Sequence, residues 1–163
     1  MSQLASFTEL PIKAVHSLNP IALVRRRIFR KPVSVLHEYL DQHGKDLGGF
    51  EADGFYIVLV LLYLQEFCGI NLLDANRGVA LLAQSLTKYH SSFFTFFTDE
   101  DRERHAAVRA VVFDELKLRQ LCERDGIEYD LYSHLGTMKA ATERIADILS
   151  NIKDEYVVLV SVG

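Results

Sequence analysis

Asp53-Gly-Phe-Tyr-Ile-Val-Leu-Val-Leu-Leu-Tyr-Leu-Gln-Glu-Phe-Cys-Gly69 contains the longest apolar run of the chain, and the architecture depends on how it folds. Ile57, Val58 and Val60 are β-branched, so a strand through residues 55–60 is one reading, and a short apolar run does not separate strand from helix by period. The continuous length to Phe67 favours a helix over residues 54–68, with Asp53 placed to cap its first N–H groups and Gly69 to stop it. Its apolar surface goes nearly all round, which means burial on all sides. Residues 55–64 are ten apolar positions, about half of what a helix needs to cross a bilayer. The segment reads as core, and no transmembrane segment is expected.

Downstream, Ala75, Val79, Leu82, Leu86 and Tyr89 recur at steps of four and three behind a capping Asp74, which is one helical stripe. Phe93, Phe94, Phe96 and Phe97 form an aromatic knot that must pack, because each ring left in water forgoes about 1.5–3 kcal/mol of burial. Thr98 followed by Asp99, Glu100 and Asp101 is a capped, acidic helix start. That helix is expected to reach about Arg124, burying Val108, Val111, Val112, Leu118 and Cys122 before Gly126 ends it. From Leu131 the apolar positions repeat to Ile152 without a break. They favour one long helix with Gly136 on its outer side, at about 1 kcal/mol relative to alanine, with a break at Gly136 as the alternative. Residues 156–162 are β-branched and apolar without helical period, so they read as a strand; one strand needs a partner, and residues 10–15 are the best local candidate.

Upstream, Asn19-Pro20 opens a helix over residues 20–29. Pro32 ends it and starts another over residues 33–42, which Gly44 closes in the position that wants a left-handed residue. Together these elements predict a single mainly α domain over residues 1–163, a bundle of about six helices around a buried central helix with one short C-terminal β-strand.

The composition, 49% apolar and 25% charged in 163 residues, is that of a packed domain rather than a disordered chain. Cys68 and Cys122 form no C-x-x-C pair, so both are expected to be inert core thiols of a reducing compartment, with the cytoplasm as the default location. No basic-apolar-small order marks a secretory leader. The net charge of -4 is unevenly spread: up to Lys31 six cations face Glu9 alone, and after it twelve face twenty-one acids.

Walker loops, G-x-G-x-x-G turns, G-x-S-x-G elbows and H-E-x-x-H pairs are all missing, so no cofactor and no metal are expected. Asp101 and His105 lie one helical turn apart, a spacing that fits a solvated first turn better than a metal site. His37-Glu38 and Tyr89-His90 could each supply a general base in a cleft. The spacing of Arg30 and His37 resembles that of HEPN-type helical ribonucleases, in which an arginine and a following histidine bind and cleave a phosphodiester. The similarity covers eight residues, with Pro32 intervening. By that resemblance and by charge, Arg30, His37, Asp101 and His105 are the groups of an alternative reading, a hydrolase or nuclease acting on a phosphate-bearing substrate.

The leading expectation is a protein-binding module that covers its partner, as immunity and antitoxin proteins do. It is small, acidic and without a catalytic motif, and its acidity argues against a dedicated nucleic-acid binder. Residues 99–101 with Asp114, Glu115, Glu123, Asp125, Glu128 and Asp130 form the densest acidic zone, in which Asp114, Glu115, Glu123 and Asp125 are the candidates for steering a basic partner, while Arg26 and Arg30 belong to the one basic cluster, suited to an acidic one. Self-association through residues 156–162 or through the aromatic knot is the remaining possibility.

Overall fold

The computed structural model describes residues 3–19, 24–25, 33–73, 77–90, 92–124, 126 and 131–163. Its elements are β1 (Ala5–Pro11), α1 (Ile12–Ser17), β2 (Val24–Arg25), β3 (Val33–Ser34), α2 (Leu36–His43), β4 (Lys45–Phe50), α3 (Phe55–Cys68) and α4 (Arg77–His90). Then follow β5 (Phe93–Phe97), a 3-10 helix (Asp99–Arg104), α5 (His105–Arg109), α6 (Glu115–Arg124), α7 (Leu131–Ser150) and β6 (Tyr156–Val162).

The expected bundle with a single strand is therefore overturned. A four-stranded antiparallel sheet in the order β4-β1-β6-β5 stands between two layers of helices. Strand β6 alternates between the layers. Val158, Val160 and Val162 join Ala5, Phe7 and Phe97 under α3, α6 and α7, while Val157 and Leu159 join Leu10, Phe94 and Phe96 under α1, α2 and α4. A strand buried on both faces reads as one continuous apolar run. That explains why β6 looked like a strand while β5, Phe-Phe-Thr-Phe-Phe, looked only like a cluster.

The central segment is the helix expected, and Leu59, Val60 and Leu61 are all fully buried, so its neighbours do surround it. Asp53 Oδ1 accepts from Phe55 N at 3.0 Å, and Gly69 stops the helix with φ 67°. The uninterrupted α7 is also as expected. The partner of β6 is β1, with Leu10 opposite Val157, but pairing runs from Ala5 to Pro11 and residues 12–17 turn into α1.

Several local expectations fail for identifiable reasons. Val24–Arg25 is a strand paired with Val33–Ser34, where helices were expected, and α2 begins only at Leu36; residues 20–23 and 26–32 lie outside the described residues. Gly44 does end α2, but in an extended conformation with φ -109°. It is glycine because a Cβ there would strike the Thr8 side chain and come within 2.9 Å of Leu40 O. The helix expected from Thr98 to Arg124 is broken at residues 110–114, since Asp114 opens a new one: its Oδ1 accepts from Lys117 N at 3.0 Å and its own N–H donates to Tyr63 Oη at 2.8 Å. Val112 consequently faces solvent at 86% exposure instead of joining the core, and Cys68 is exposed while Cys122 is buried. Among the described residues no helix is long and apolar enough to cross a membrane.

Candidate functional site

The acids expected to meet a partner are mostly engaged within the chain. Asp114 caps α6, Glu115 pairs with Arg119 one turn on at 3.4 Å, and Glu123 stands exposed at the far end of the same helix. Neighbouring charges are laced in the same way, Arg124 to Glu66 at 2.5 Å and Arg109 to Asp147. Asp125, Arg26 and Arg30 lie outside the described residues.

The residues of the enzyme reading are dispersed. Asp101 is wholly buried where the 3-10 helix packs on α7, and its Oδ2 accepts from Thr98 N at 2.9 Å. Oδ1 has Arg104 Nη1 at 3.5 Å. Burial pushes the Asp101 carboxyl above its ordinary range, against the opposing pull of Thr98 and Arg104. His105 Nδ1 meets Arg102 O at 2.7 Å, whereas His37 belongs to the opposite layer and faces Asp41 at 3.5 Å with both side chains in solvent. Among the described residues no group of three or more potential ligands could hold a metal ion. His37 and His90 do line one common recess, over a pair of strand hydroxyls, Ser6 Oγ and Ser161 Oγ, 2.7 Å apart.

A larger concavity than this recess lies elsewhere, along α7. Strand β4 pairs with β1 on one side and has no strand on the other among the described residues. Its chain turns at Gly48, φ 85°, where Asp46 Oδ1 accepts from Gly48 N at 2.8 Å. Between this edge and the outer face of α7 runs an open groove of about 880 Å³, with Gly49, Phe50 and Glu51 on one wall and Gly136, Ala140 and Glu143 on the other. Gly136 keeps the helical wall low, and a Cβ at that position would meet nothing within 4 Å.

Arg144 closes one end of the groove. Its Nη2 donates to Leu47 O at 2.6 Å, and the guanidinium carbon stands 5.1 Å from the centre of the Phe7 ring. Beyond it opens a second pocket of about 300 Å³, which shares Arg144 and Asp147 with the groove and adds Glu9, Lys45 and Lys153. Glu9 follows Ala5 and Phe7 on the same face of β1, and its side chain is only 7% exposed. Burying a carboxylate there requires a counter-charge, which Lys153 Nζ supplies at 3.0 Å from Oε2. Lys45 is its cross-strand neighbour.

None of these groups stood out in the sequence, because Glu9, Lys45, Arg144 and Lys153 come from segments up to 144 positions apart. One signal was there: Glu9 is the sole acid among the first 31 residues, and strand alternation places it on the face of Phe7. The arrangement is suited to recognition, since the groove offers a strand edge and low side chains, and the pocket offers fixed cations. No family model, curated protein or solved structure matches the chain.

Proposed function

We propose that this chain is a protein-binding module that covers its partner, in the manner of immunity and antitoxin proteins, by receiving an extended partner segment in the groove between β4 and α7. The observation that carries the reading is the groove itself, with a strand that has no outer neighbour among the described residues on one wall and a helix on the other. An extended peptide added to such an edge gains main-chain hydrogen bonds along its length and specificity from alternate side chains. Arg144 satisfies the Leu47 carbonyl, which leaves Gly49 and Phe50 as the accessible end of β4, continued by the bend at Glu51 and Ala52.

Gly136 supports the same reading. Glycine inside a helix costs about 1 kcal/mol relative to alanine, and at this exposed position no packing among the described residues calls for it. Space for a partner's backbone does. Glu51 and Glu143 on the two rims favour a segment with basic side chains.

The test is selection of displayed random peptides on the immobilised protein, with each binder then measured against Gly136→Trp. Open space at Gly136 lets the indole fill the groove without displacing the core. The reading expects basic, extended binders whose affinity falls at least tenfold in Gly136→Trp and by a smaller factor in Gly136→Ala. Binders indifferent to the tryptophan, or no binders at all, would refute it.

A further inference from the structure

We propose that the smaller pocket beside Arg144 is an anion-binding site that takes a carboxylate or phosphate group. This goes beyond the groove and rests on the charges around the pocket. Three cations line it, Lys45, Arg144 and Lys153, against two carboxylates, Glu9 and Asp147. Both carboxylates are already engaged: Glu9 holds Lys153 at 3.0 Å, and Asp147 is held by Arg109 from outside the pocket. Lys45 and Arg144 therefore face the cavity with no carboxylate within ion-pair distance among the described residues, a local positive excess on a chain whose net charge is -4.

Arg144 is also oriented for the task. The guanidinium is a rigid fork of five N–H donors, and here Nη2 is fixed on Leu47 O and more loosely on Gly48 O, at 2.6 and 3.5 Å. The guanidinium carbon stands 5.1 Å from the centre of the Phe7 ring, and Nε is buried out of reach of a ligand, which leaves the Nη1 N–H groups to bind one. A cation whose position is fixed before the ligand arrives loses little freedom on binding, and charge-assisted bonds to carboxylate or phosphate are the strongest it can make. Lys45, on the strand edge and exposed, supplies the second charge from the opposite wall. The pocket volume of about 300 Å³ admits one such group with part of its hydration shell.

The experiment is a titration of the whole chain with inorganic phosphate and, separately, acetate, at constant ionic strength made up with chloride, followed by the Arg144 Nε–Hε resonance and the amides of Lys45 and Leu47. Saturable shifts confined to these positions are expected, weakened at least tenfold in Lys45→Gln, whose exposed side chain makes no ion pair among the described residues. In Arg144→Lys, binding is expected to weaken although the charge is kept, because one ammonium cannot hold the Leu47 carbonyl and present the Nη1 donors at the same time. Phosphate binding tighter than acetate identifies a phosphate-bearing ligand, and the reverse identifies a carboxylate; either supports the site. Linear or absent shifts, equal shifts with chloride alone, or an unchanged response in Lys45→Gln overturn it.

Discussion

Replacing Lys153 with methionine removes the counter-charge of Glu9 while keeping most of the aliphatic stem that lies against Tyr156, whose ring centre is 5.4 Å from Nζ. Breaking a fully buried pair by deleting one partner costs about 3–5 kcal/mol, and exposed pairs contribute about 0.2–1 kcal/mol. Glu9 is 7% exposed and Lys153 is 59% exposed, so this pair falls between the two. Water reaches the ammonium but hardly the carboxylate, and a loss of about 1–2 kcal/mol is expected from Lys153→Met. Glu9→Gln keeps the volume and removes the charge, so it should cost less, about 1 kcal/mol or under. The double variant should then be more stable than Lys153→Met alone, since no unpaired charge remains buried. Urea unfolding at neutral pH on the four proteins gives the coupling directly, provided the dependence on urea keeps a common slope. A coupling near zero, or Lys153→Met as stable as the parent, would show that Glu9 is compensated by other groups, and the account of uncommitted cations in the pocket would fall with it.

Gly136→Ala should stabilise the chain by about 0.5–1 kcal/mol, since the helix continues through it and the methyl meets open space, measured by the urea midpoint. Asp114→Ala should destabilise by about 1 kcal/mol through loss of the α6 cap; a stability unchanged within a few tenths would return Asp114 to the role of a free surface acid. For Asp101, the folded carboxyl titrates above its ordinary 3.8 because burial disfavours the charge. The folded chain therefore holds this proton more tightly than the unfolded chain, and the Asp101 contribution to stability falls as pH rises from that ordinary value through the raised one. Stability of the parent relative to Asp101→Asn should accordingly decline with pH across that interval, and a rise would reverse the assigned cause.

What the sequence revealed depended on how far apart the cooperating residues are. The helices α3, α4 and α7 announce themselves because their periodicity is local, and Gly69 and Gly126 sit at φ 67° and 69° where stop signals belong. Strand β6 was legible from its β-branched run, and so was its need for an N-terminal partner. The rest of the sheet was not. Strand β4, Lys-Asp-Leu-Gly-Gly-Phe, carries two glycines and reads as a loop until Ala5 and Phe50 are known to face each other. The break before α6 was missed because an aspartate within a run of helix formers marks a cap only when a partner such as Tyr63 holds it in place. Charge density was a poor guide to the site for a related reason: Glu115 and Asp114 serve their own helix, while the pocket is assembled from charges that look isolated along the chain. Of the two routes to self-association considered from the sequence, the one through β6 meets a strand that already has β1 and β5 on its two sides, whereas β5 is an outer strand of the sheet whose rings are mostly packed into the chain's own interior.

Because β6 lies at the centre of the sheet, β1 has to wait for it. A ribosome adds roughly 5–20 residues each second, so on the order of ten seconds separates the synthesis of these neighbours. Through that interval Phe7 and Leu10 belong to a nascent strand with no inner neighbour, the kind of segment that pairs with other chains. Glu9 places a negative charge in the middle of it. Lys153, which neutralises that charge in the finished fold, lies three positions before Tyr156 and so leaves the ribosome together with the strand that completes the sheet. A charge within an unpaired strand opposes pairing with other chains, and the same carboxylate is later the buried half of an ion pair whose ammonium stays in water.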